Sequence, residues 1–385
     1  MPPAAPLPPA RPFRCGLVTL AGPPNAGKST LLNRLLGEKL AIVSPLPQTT
    51  RDQIRGVWTG PDLQAIFVDT PGIHKARSPL NRAMVGLAIE ALEAVDAVVV
   101  VIDATKAVRW LQRAGVSAPA SAVPPAPVSA VPPTATSVSP SAATDDPEDA
   151  DDDASFPDDD DGLIDAPRPG HDAAPAEDLT WKQPLDGRLD PAVRRVLRNV
   201  LRYGDQFLIA LNKVDAVAKP KLLPVMEALA TVPRAGVVIP ISGRKGDGVA
   251  QLLDAIRPLL PEGPAQYGAD ELTDRSVRFL CAELVREQVF LQTRDEVPYG
   301  VACEIETFDE LPGLVRIAAL VHVEKPAQRS ILLGKGGLRM KAMATAARGH
   351  MEALLQKKVF LEVHVRVEAR WSDRVEMLRH FGYVL

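Results

Sequence analysis

The sequence GPPNAGKS, residues 22–29, decides the fold of this chain. It matches G-x-x-x-x-G-K-S, the P-loop pattern, in which backbone N–H groups at a helix N-terminus point at phosphate oxygens. An apolar run at 15–21 precedes it, and a leucine-rich stretch at 29–37 follows with helical spacing. We therefore predict a strand, a phosphate-binding loop and a helix. Lys28 would contact the β and γ phosphates, and the Ser29 hydroxyl would bind Mg²⁺.

Two motifs after the P-loop carry groups that a bound nucleotide and Mg²⁺ require. DTPG at 69–72 follows an apolar strand pattern; Asp69 would hold Mg²⁺ through water, and the Gly72 N–H would contact the γ-phosphate. QTTRD at 48–52 follows the first helix, and a threonine in it would bind Mg²⁺ once the γ-phosphate is present. Taken singly, each motif is also compatible with a turn or a helix cap. Their order and their positions at strand ends favour a nucleotide site.

Two later motifs predict that the base is guanine. In NKVD at 212–215, an acidic side chain would accept hydrogen bonds from the N1–H and N2 amino groups of guanine, which adenine cannot reproduce. In SGR at 242–244, the backbone would contact the base oxygen. A strand-end turn is the alternative interpretation of NKVD alone. The combination of all five motifs predicts GTP binding.

Composition and charge limit the number of domains, the kind of partner and the cellular location that the sequence allows. The chain has 385 residues, enough for two domains, and a net charge of −4. Residues 141–190 contain 17 acidic and 3 basic side chains, a local charge of −14, which leaves +10 on the rest and suits a phosphate-rich partner. The three cysteines lack disulfide or metal spacing, and no apolar run reaches 18 residues. With no secretory signal pattern at the start, we expect a soluble cytoplasmic protein.

The first domain is predicted at 13–262, after a disordered Pro-rich tail at 1–12. Apolar runs at 65–69, 97–103, 206–212 and 237–242 alternate with helical patterns, which is typical of a mostly parallel, doubly wound α/β sheet. An Ala/Pro/Asp-rich segment at about 116–184 interrupts this alternation. It cannot bury enough apolar surface to offset its ordering entropy, so we predict a disordered insertion. A helix at 191–203 resumes the domain.

The second domain is predicted at 268–385, beyond a boundary near 261–268. We expect a helix at about 273–291, strands at about 301–308 and 314–324, and a glycine turn, GKGG, at 334–337. A helix to about 356, a strand at 359–367 and a short final helix would complete a small α/β domain.

Basic side chains cluster around the glycine turn. Eight Lys or Arg residues and a single acidic residue lie between 325 and 358. GKGG before a helix has the form of a KH-domain GXXG loop, whose glycines let a nucleic-acid backbone approach closely. A glycine turn before a helix is common in other folds, but this charge favours RNA. The predicted RNA-binding residues are Lys325, Arg329, Gly334, Lys335, Gly336, Gly337, Arg339 and Lys341.

The ordered motifs GPPNAGKS, QTTRD, DTPGIH, NKVD and SGRKGDGV resemble the GTPases of the TrmE–Era–EngA group. The resemblance implies that Ile73 stands where Ras-like proteins have a catalytic glutamine, and that Thr50 rather than Thr49 binds Mg²⁺. It also implies that Asn25 helps to hold a K⁺-like cation; otherwise Asn25 is a turn residue. The predicted GTP-binding residues are Gly22, Asn25, Ala26, Gly27, Lys28, Ser29, Thr30, Asp69, Gly72, Asn212, Lys213, Asp215, Ser242, Gly243 and Arg244. Those assigned to catalysis are Asn25, Lys28, Thr50 and Gly72.

The C-terminal sequence narrows the resemblance to the Era family, on VREQVFLQTRDEVPYG (285–300), ILLGKGGLRMKAM (331–343), KKVFLEVHVRV (357–367) and LRHFGYVL (378–385). This implies a P-loop GTPase followed by a type II KH domain. It further implies a monomeric GTP-hydrolysing switch that binds the 3′ region of 16S ribosomal RNA and acts in 30S subunit assembly and rRNA maturation. The loop SGRKGDG at 242–248, here called the base loop, begins with SG where the family more often has SA, which is a mild departure.

Two alternative functions and one further location stay open on the sequence. Because Ile73 cannot orient water by hydrogen bonding, the chain could be an RNA-binding assembly factor that holds GTP with negligible turnover. A tRNA-modification GTPase of the same group is disfavoured, since the chain lacks a C-terminal reactive cysteine motif. Peripheral contact with the inner face of the membrane through the basic face also stays open, although no amphipathic anchor is evident.

Overall fold

The computed structural model describes residues 11–47, 49–73, 78–114, 188–203 and 207–383. The insertion predicted at 116–184 lies outside these residues, as does most of the tail predicted at 1–12. No helix in the described part of the chain is long and apolar enough to cross a bilayer.

The N-terminal part forms a six-stranded sheet with strand order β2-β3-β1-β4-β5-β6. Its strands are β1 Arg14–Ala21, β2 Ile54–Thr59, β3 Leu63–Asp69, β4 Ala97–Asp103, β5 Phe207–Asn212 and β6 Ala235–Pro240. All neighbours are parallel except β2 and β3, which are antiparallel. The sequence analysis did not predict β2, whose central glycine weakens the strand pattern. It also placed the last strand two residues late, because the Ser242 backbone bonds to Asp247 and Gly246 of the following loop rather than to β5.

Helices cover both faces of this sheet. They are α1 Lys28–Leu36, α2 Pro79–Glu93, α3 Ala104–Arg113, α4 Pro191–Tyr203, α5 Lys219–Ala230 and α6 Val249–Ile256. Leucines of α1 and α6 pack on one face, and apolar residues of α2, α3, α4 and α5 pack on the other. Strand β4 is therefore buried along its whole length, and the carboxyl ends of β1, β3, β4 and β5 meet at one edge where the predicted motifs lie.

The C-terminal part forms a three-stranded sheet with order β7-β8-β9. Strands β7 Val301–Leu311 and β8 Leu314–Val323 are antiparallel, and β9 Lys358–Val367 runs parallel to β8. Its helices are α7 Val277–Gln292, α8 Pro326–Leu333, α9 Leu338–Leu355 and α10 Val375–His380. Apolar residues of α7, α8 and α9 pack on the sheet in one core.

Helix α8 is a correction to the sequence analysis, which predicted no helix between 324 and the glycine turn. It spans only eight residues, too few to show a clear period. Pro326 occupies its first turn, and the Gln328 side chain accepts hydrogen bonds from the backbone N–H groups of Glu324 and Lys325 at 2.9 and 3.0 Å. The glycine turn therefore joins two helices. Helix α7 also begins four residues later than predicted, because the Ser276 side chain caps it at Phe279 N.

Candidate nucleotide site and RNA-binding loop

The P-loop connects β1 to the N-terminus of α1, as its sequence predicts. Lys28 is buried, and its ammonium group donates to the carbonyls of Gly22 and Pro23, both at 3.1 Å. Burial lowers the pKa of Lys28 to about 8, and the charge of Asp69 opposes this shift only in part. The Lys28 ammonium group therefore bonds to neutral carbonyls of its own loop. Negatively charged phosphate oxygens would form stronger hydrogen bonds with it.

Three oxygens predicted to bind Mg²⁺ converge beside the P-loop. The Ser29 hydroxyl lies 2.7 Å from Asp69 Oδ2 and 3.0 Å from the Thr50 hydroxyl, and the Thr50 hydroxyl lies 3.3 Å from the same carboxylate oxygen. Asp69 is fully buried, which raises its pKa, and its Oδ1 has no hydrogen-bond partner among the described residues. An unpaired carboxylate oxygen beside two hydroxyls is a donor set that fits Mg²⁺.

Two predicted residues next to this cluster, Thr49 and Asn25, form hydrogen bonds to carbonyls of the 39–51 loop. The Thr49 hydroxyl donates to the Leu46 carbonyl at 2.9 Å, so Thr50 is the threonine that faces Ser29. Asn25 adopts a positive φ of 62°, and its amide donates to the Pro45 carbonyl at 2.7 Å. A pocket beside the P-loop is lined by P-loop residues that include Asn25, by residues 42–44, 49 and 50, and by Gly72.

The DTPG motif supplies Gly72 and Ile73 next to the P-loop. A Cβ at Gly72 would lie 2.9 Å from the backbone nitrogen of Pro24, so this turn packs directly on the P-loop. Ile73 is only 2% exposed and packs in the core with α2 and α4. Its side chain therefore does not face the phosphate pocket.

The two motifs predicted to recognise the base lie on the other side of the P-loop, and Asn212 connects them to it. The Asn212 amide donates to the Ala26 carbonyl at 2.9 Å, and its oxygen accepts from the N–H groups of Lys213 and Gly243 at 2.8 and 2.9 Å. The Ser242 hydroxyl donates to Asp215 Oδ1 at 2.8 Å. This hydrogen bond holds the Asp215 carboxylate in place. Because Asp215 is only half-buried, the carboxylate can still reach a ligand.

Two side chains support these motifs in ways that the sequence analysis missed. Arg34 on α1 donates to the carbonyls of Gly243 and Arg244 and so holds the base loop. Lys213 forms an ion pair with Asp103 at 2.7 Å. Both interactions join residues far apart in the sequence, and no local pattern signals them.

The GKGG loop has three glycines with positive φ, at 66°, 60° and 77° for 334, 336 and 337. Its basic neighbours lie at the surface, and Arg339 donates to the Ile331 carbonyl at 2.9 Å across the loop. The side chains predicted to bind RNA are all exposed: Lys325, Arg329, Lys335, Arg339 and Lys341. The loop between α8 and α9 therefore presents an open basic surface.

Comparison with known proteins identifies the family. Residues 17–119 match the model described as 50S ribosome-binding GTPase, and residues 296–372 match that of the KH domain. GTPase Era of Geobacter sp. (strain M21) is 36% identical over 372 residues, which cover 96% of this chain and 98% of the relative. GTPase Era of Xylella fastidiosa (strain M12) is 35% identical over 374 residues, 97% and 98% of the two chains. The chain belongs to the Era family of GTPases.

Solved Era structures have the same architecture. A variant of Aquifex aeolicus Era bound to GDP·AlF₄⁻ has a TM-score of 0.72 and 28% identity, covering 97% of this chain and all of that one. Era in complex with MgGDPNP and nucleotides 1506–1542 of 16S ribosomal RNA has a TM-score of 0.73 with the same identity and coverage. The predicted fold, a P-loop GTPase with a mostly parallel sheet and a C-terminal KH domain, is confirmed, as is GTP hydrolysis as the activity. The domain limits and the roles of individual residues stay predictions.

Proposed function

We propose that this Era-family GTPase binds the 3′ region of small-subunit ribosomal RNA and acts as a GTP-dependent switch in 30S assembly and 16S rRNA maturation. The observation that carries the proposal is that one chain holds a convergent nucleotide site and an exposed basic GKGG loop. The Era relative in complex with a 16S fragment supports the choice of RNA. Crosslinking the protein to RNA in cells tests it: crosslinks should map to the 3′ end of small-subunit rRNA, and a map without that region would refute it.

Within the nucleotide site, we assign Mg²⁺ binding to the hydroxyls of Ser29 and Thr50 and, through water, to Asp69. Bound Mg²⁺ would bridge the β and γ phosphates and neutralise charge that develops during transfer. Lys28 would release its two loop carbonyls and donate to phosphate oxygens, while the Gly72 N–H would meet the γ-phosphate. Asp215 would accept from two guanine donors, which gives selectivity against adenine.

At the RNA surface, the GKGG loop would contact the phosphate backbone and the N-terminus of α9 would favour its negative charge. Lys325 and Arg329 on the α8 side, and Arg339 and Lys341 on the α9 side, would flank the bound strand. We expect the protein to act as a monomer in the cytoplasm. Peripheral contact with the inner face of the membrane through this basic surface remains part of the proposal.

A slow intrinsic rate is also part of the proposal, because Ile73 is buried and cannot position the attacking water. An RNA-binding factor with negligible turnover is the alternative. Single-turnover hydrolysis with and without the rRNA fragment separates the two: stimulation by RNA supports the switch, and a rate that stays negligible in both supports the alternative.

We further assign Asn25 to a monovalent cation that stabilises the transferring phosphate. Its amide contacts the Pro45 carbonyl, so a side chain and a carbonyl oxygen already meet at the edge of the phosphate pocket. GTP turnover should be faster in K⁺ than in Na⁺ or Li⁺ at equal ionic strength, and Asn25→Ala should remove the difference while GTP still binds. Equal rates in the three salts would make Asn25 a turn residue only.

A further inference from the structure

Arg51, the residue after Thr50, is buried in contacts that all come from the C-terminal part of the chain. It is 2% exposed, and its guanidinium donates to the carbonyls of Pro298, Tyr299 and Val301 at 3.0, 2.8 and 2.5 Å. Among the described residues, no carboxylate lies within ion-pair distance of it. The hydrogen bonds to these carbonyls stabilise the buried charge of Arg51. Loss of any of them would leave the charge uncompensated and would be strongly destabilising.

Aromatic rings of the same part of the chain enclose the Arg51 guanidinium. The centroids of the Phe290 and Trp371 rings lie 5.8 and 5.9 Å from it, and the electron-rich faces of such rings favour a cation. The residue therefore has one well-defined position, which exists only while α7, the 298–301 segment and Trp371 are packed against the 39–51 loop.

A second arginine makes the reciprocal contact. Arg286 lies on α7, is 1% exposed and donates to the carbonyl of Thr49 at 2.7 Å. Glu283 holds it through two hydrogen bonds of 2.7 and 2.6 Å, so the guanidinium is fixed before it meets the loop. Arg51 and Arg286 thus fix the residues on both sides of Thr50.

A buried glutamate on the same helix holds the start of the loop. Glu287 is 1% exposed, accepts from the backbone N–H of Val43 at 3.2 Å and pairs with Lys39 at 2.6 Å. The 39–51 loop therefore rests on α7 at both of its ends. In this arrangement the Thr50 hydroxyl lies 3.0 Å from the Ser29 hydroxyl and 3.3 Å from the Asp69 carboxylate, the other two groups proposed to hold Mg²⁺.

We propose that Arg51 and Arg286 are positioning residues through which the docked KH domain holds the Thr50 hydroxyl in place for Mg²⁺. This inference rests on the proposed role of Thr50 as a Mg²⁺ ligand. When both arginines are seated, the loop loses its conformational freedom before the metal arrives, so that metal binding does not bear the entropic cost of ordering it. By linkage, Mg²⁺ at Thr50 stabilises the docked KH domain to the same extent, which couples the nucleotide site to the RNA-binding domain.

The test compares full-length variants by the Mg²⁺ concentration that gives half-maximal GTP hydrolysis at saturating GTP. Arg286→Met should raise this concentration at least fivefold, while GTP affinity in EDTA stays within twofold of wild type. Arg286→Lys keeps the positive charge but loses the planar fork that reaches both Glu283 and the Thr49 carbonyl, and should give an intermediate value. Arg55→Met is the matched control: it breaks the exposed pair of Arg55 with Asp274 (3.6 Å), which does not touch 49–50, and should change neither quantity.

The outcomes separate the coupling from the metal site. If Thr50→Ala raises the Mg²⁺ requirement and both Arg286 variants keep the wild-type value, the coupling is wrong and the metal assignment stands. If Thr50→Ala itself leaves the requirement unchanged, the assignment of Thr50 fails and the coupling fails with it. If Arg286→Met unfolds at the assay temperature, Arg286→Lys decides: a wild-type Mg²⁺ requirement in that variant overturns the proposal.

Discussion

Two loops of glycine and lysine, 22–29 and 334–337, each lead into the N-terminus of a helix, but the protein surrounds them differently. Lys28 is buried and bonded to its own loop, whereas Lys335 is exposed. A Cβ at Gly22 would lie 2.4 Å from the Val101 carbonyl oxygen, whereas one at Gly336 would meet no atom within 4 Å. The first loop is a pocket whose glycine is required by packing, and the second is an open surface whose glycine leaves room for a ligand.

The largest expected effect comes from charging the open loop. Replacing Lys335 and Gly336 together by aspartate places two carboxylates and a new Cβ where an RNA backbone would approach, and should weaken RNA binding at least 10²-fold. GTP hydrolysis without RNA should remain near wild type, because the nucleotide site lies on the other sheet. RNA titrations and turnover assays on the same preparations measure both quantities.

Charge reversal of Lys357 and Lys358 is the control for that variant. These residues lie beyond the C-terminal end of α9 and already pair with Glu310 at 2.7 Å and Glu352 at 3.8 Å, so their reversal should cost less and act mainly on the salt-dependent part of binding. Equal losses in both double variants, with sequence preference intact, would mean that the GKGG loop is only part of a diffuse basic patch.

In the enclosed nucleotide site, the next largest effect is expected at Asp215. Asp215→Asn replaces an acceptor for two guanine donors by a side chain that accepts only one, and should lower GTP affinity on the order of 10²-fold, about 2–3 kcal/mol. Equilibrium binding of GTP and ATP to both proteins measures this. Unchanged GTP affinity, or wild-type affinity for ATP equal to that for GTP, contradicts the guanine assignment.

The smallest effect follows from the burial of Lys28. Because burial lowers the pKa of Lys28 to about 8, part of the free protein has a neutral lysine above that pH, and bound phosphate favours the charged form. Nucleotide affinity should therefore fall as the pH rises through 8, by at most about tenfold per unit. Calorimetry of GDP binding in EDTA at pH 8.5, in two buffers of different ionisation enthalpy, should detect uptake of about 0.75 proton per GDP bound. No uptake would contradict this electrostatic account.

The same contrast explains what the sequence could predict. DTPG and NKVD follow β3 and β5, which are buried along their whole length, and the P-loop follows β1, most of which is buried; such apolar runs are strong local signals. Helix α8 was missed because its eight residues are stabilised by the Gln328 cap rather than by a visible period. The contacts of Arg34, Arg51 and Arg286 depend on tertiary packing between distant residues, so no motif could have indicated them.

The most direct test of the central claim is the equilibrium binding of the full chain, loaded with a slowly hydrolysed GTP analogue, to RNA of the small-subunit rRNA 3′ end. A scrambled RNA of the same composition at the same salt concentration is the reference, because the electrostatic contribution is then equal for both. The account predicts at least tenfold tighter binding to the native sequence, and loss of that preference in the Lys335 and Gly336 double variant. Equal affinity of the wild type for both RNAs would contradict it.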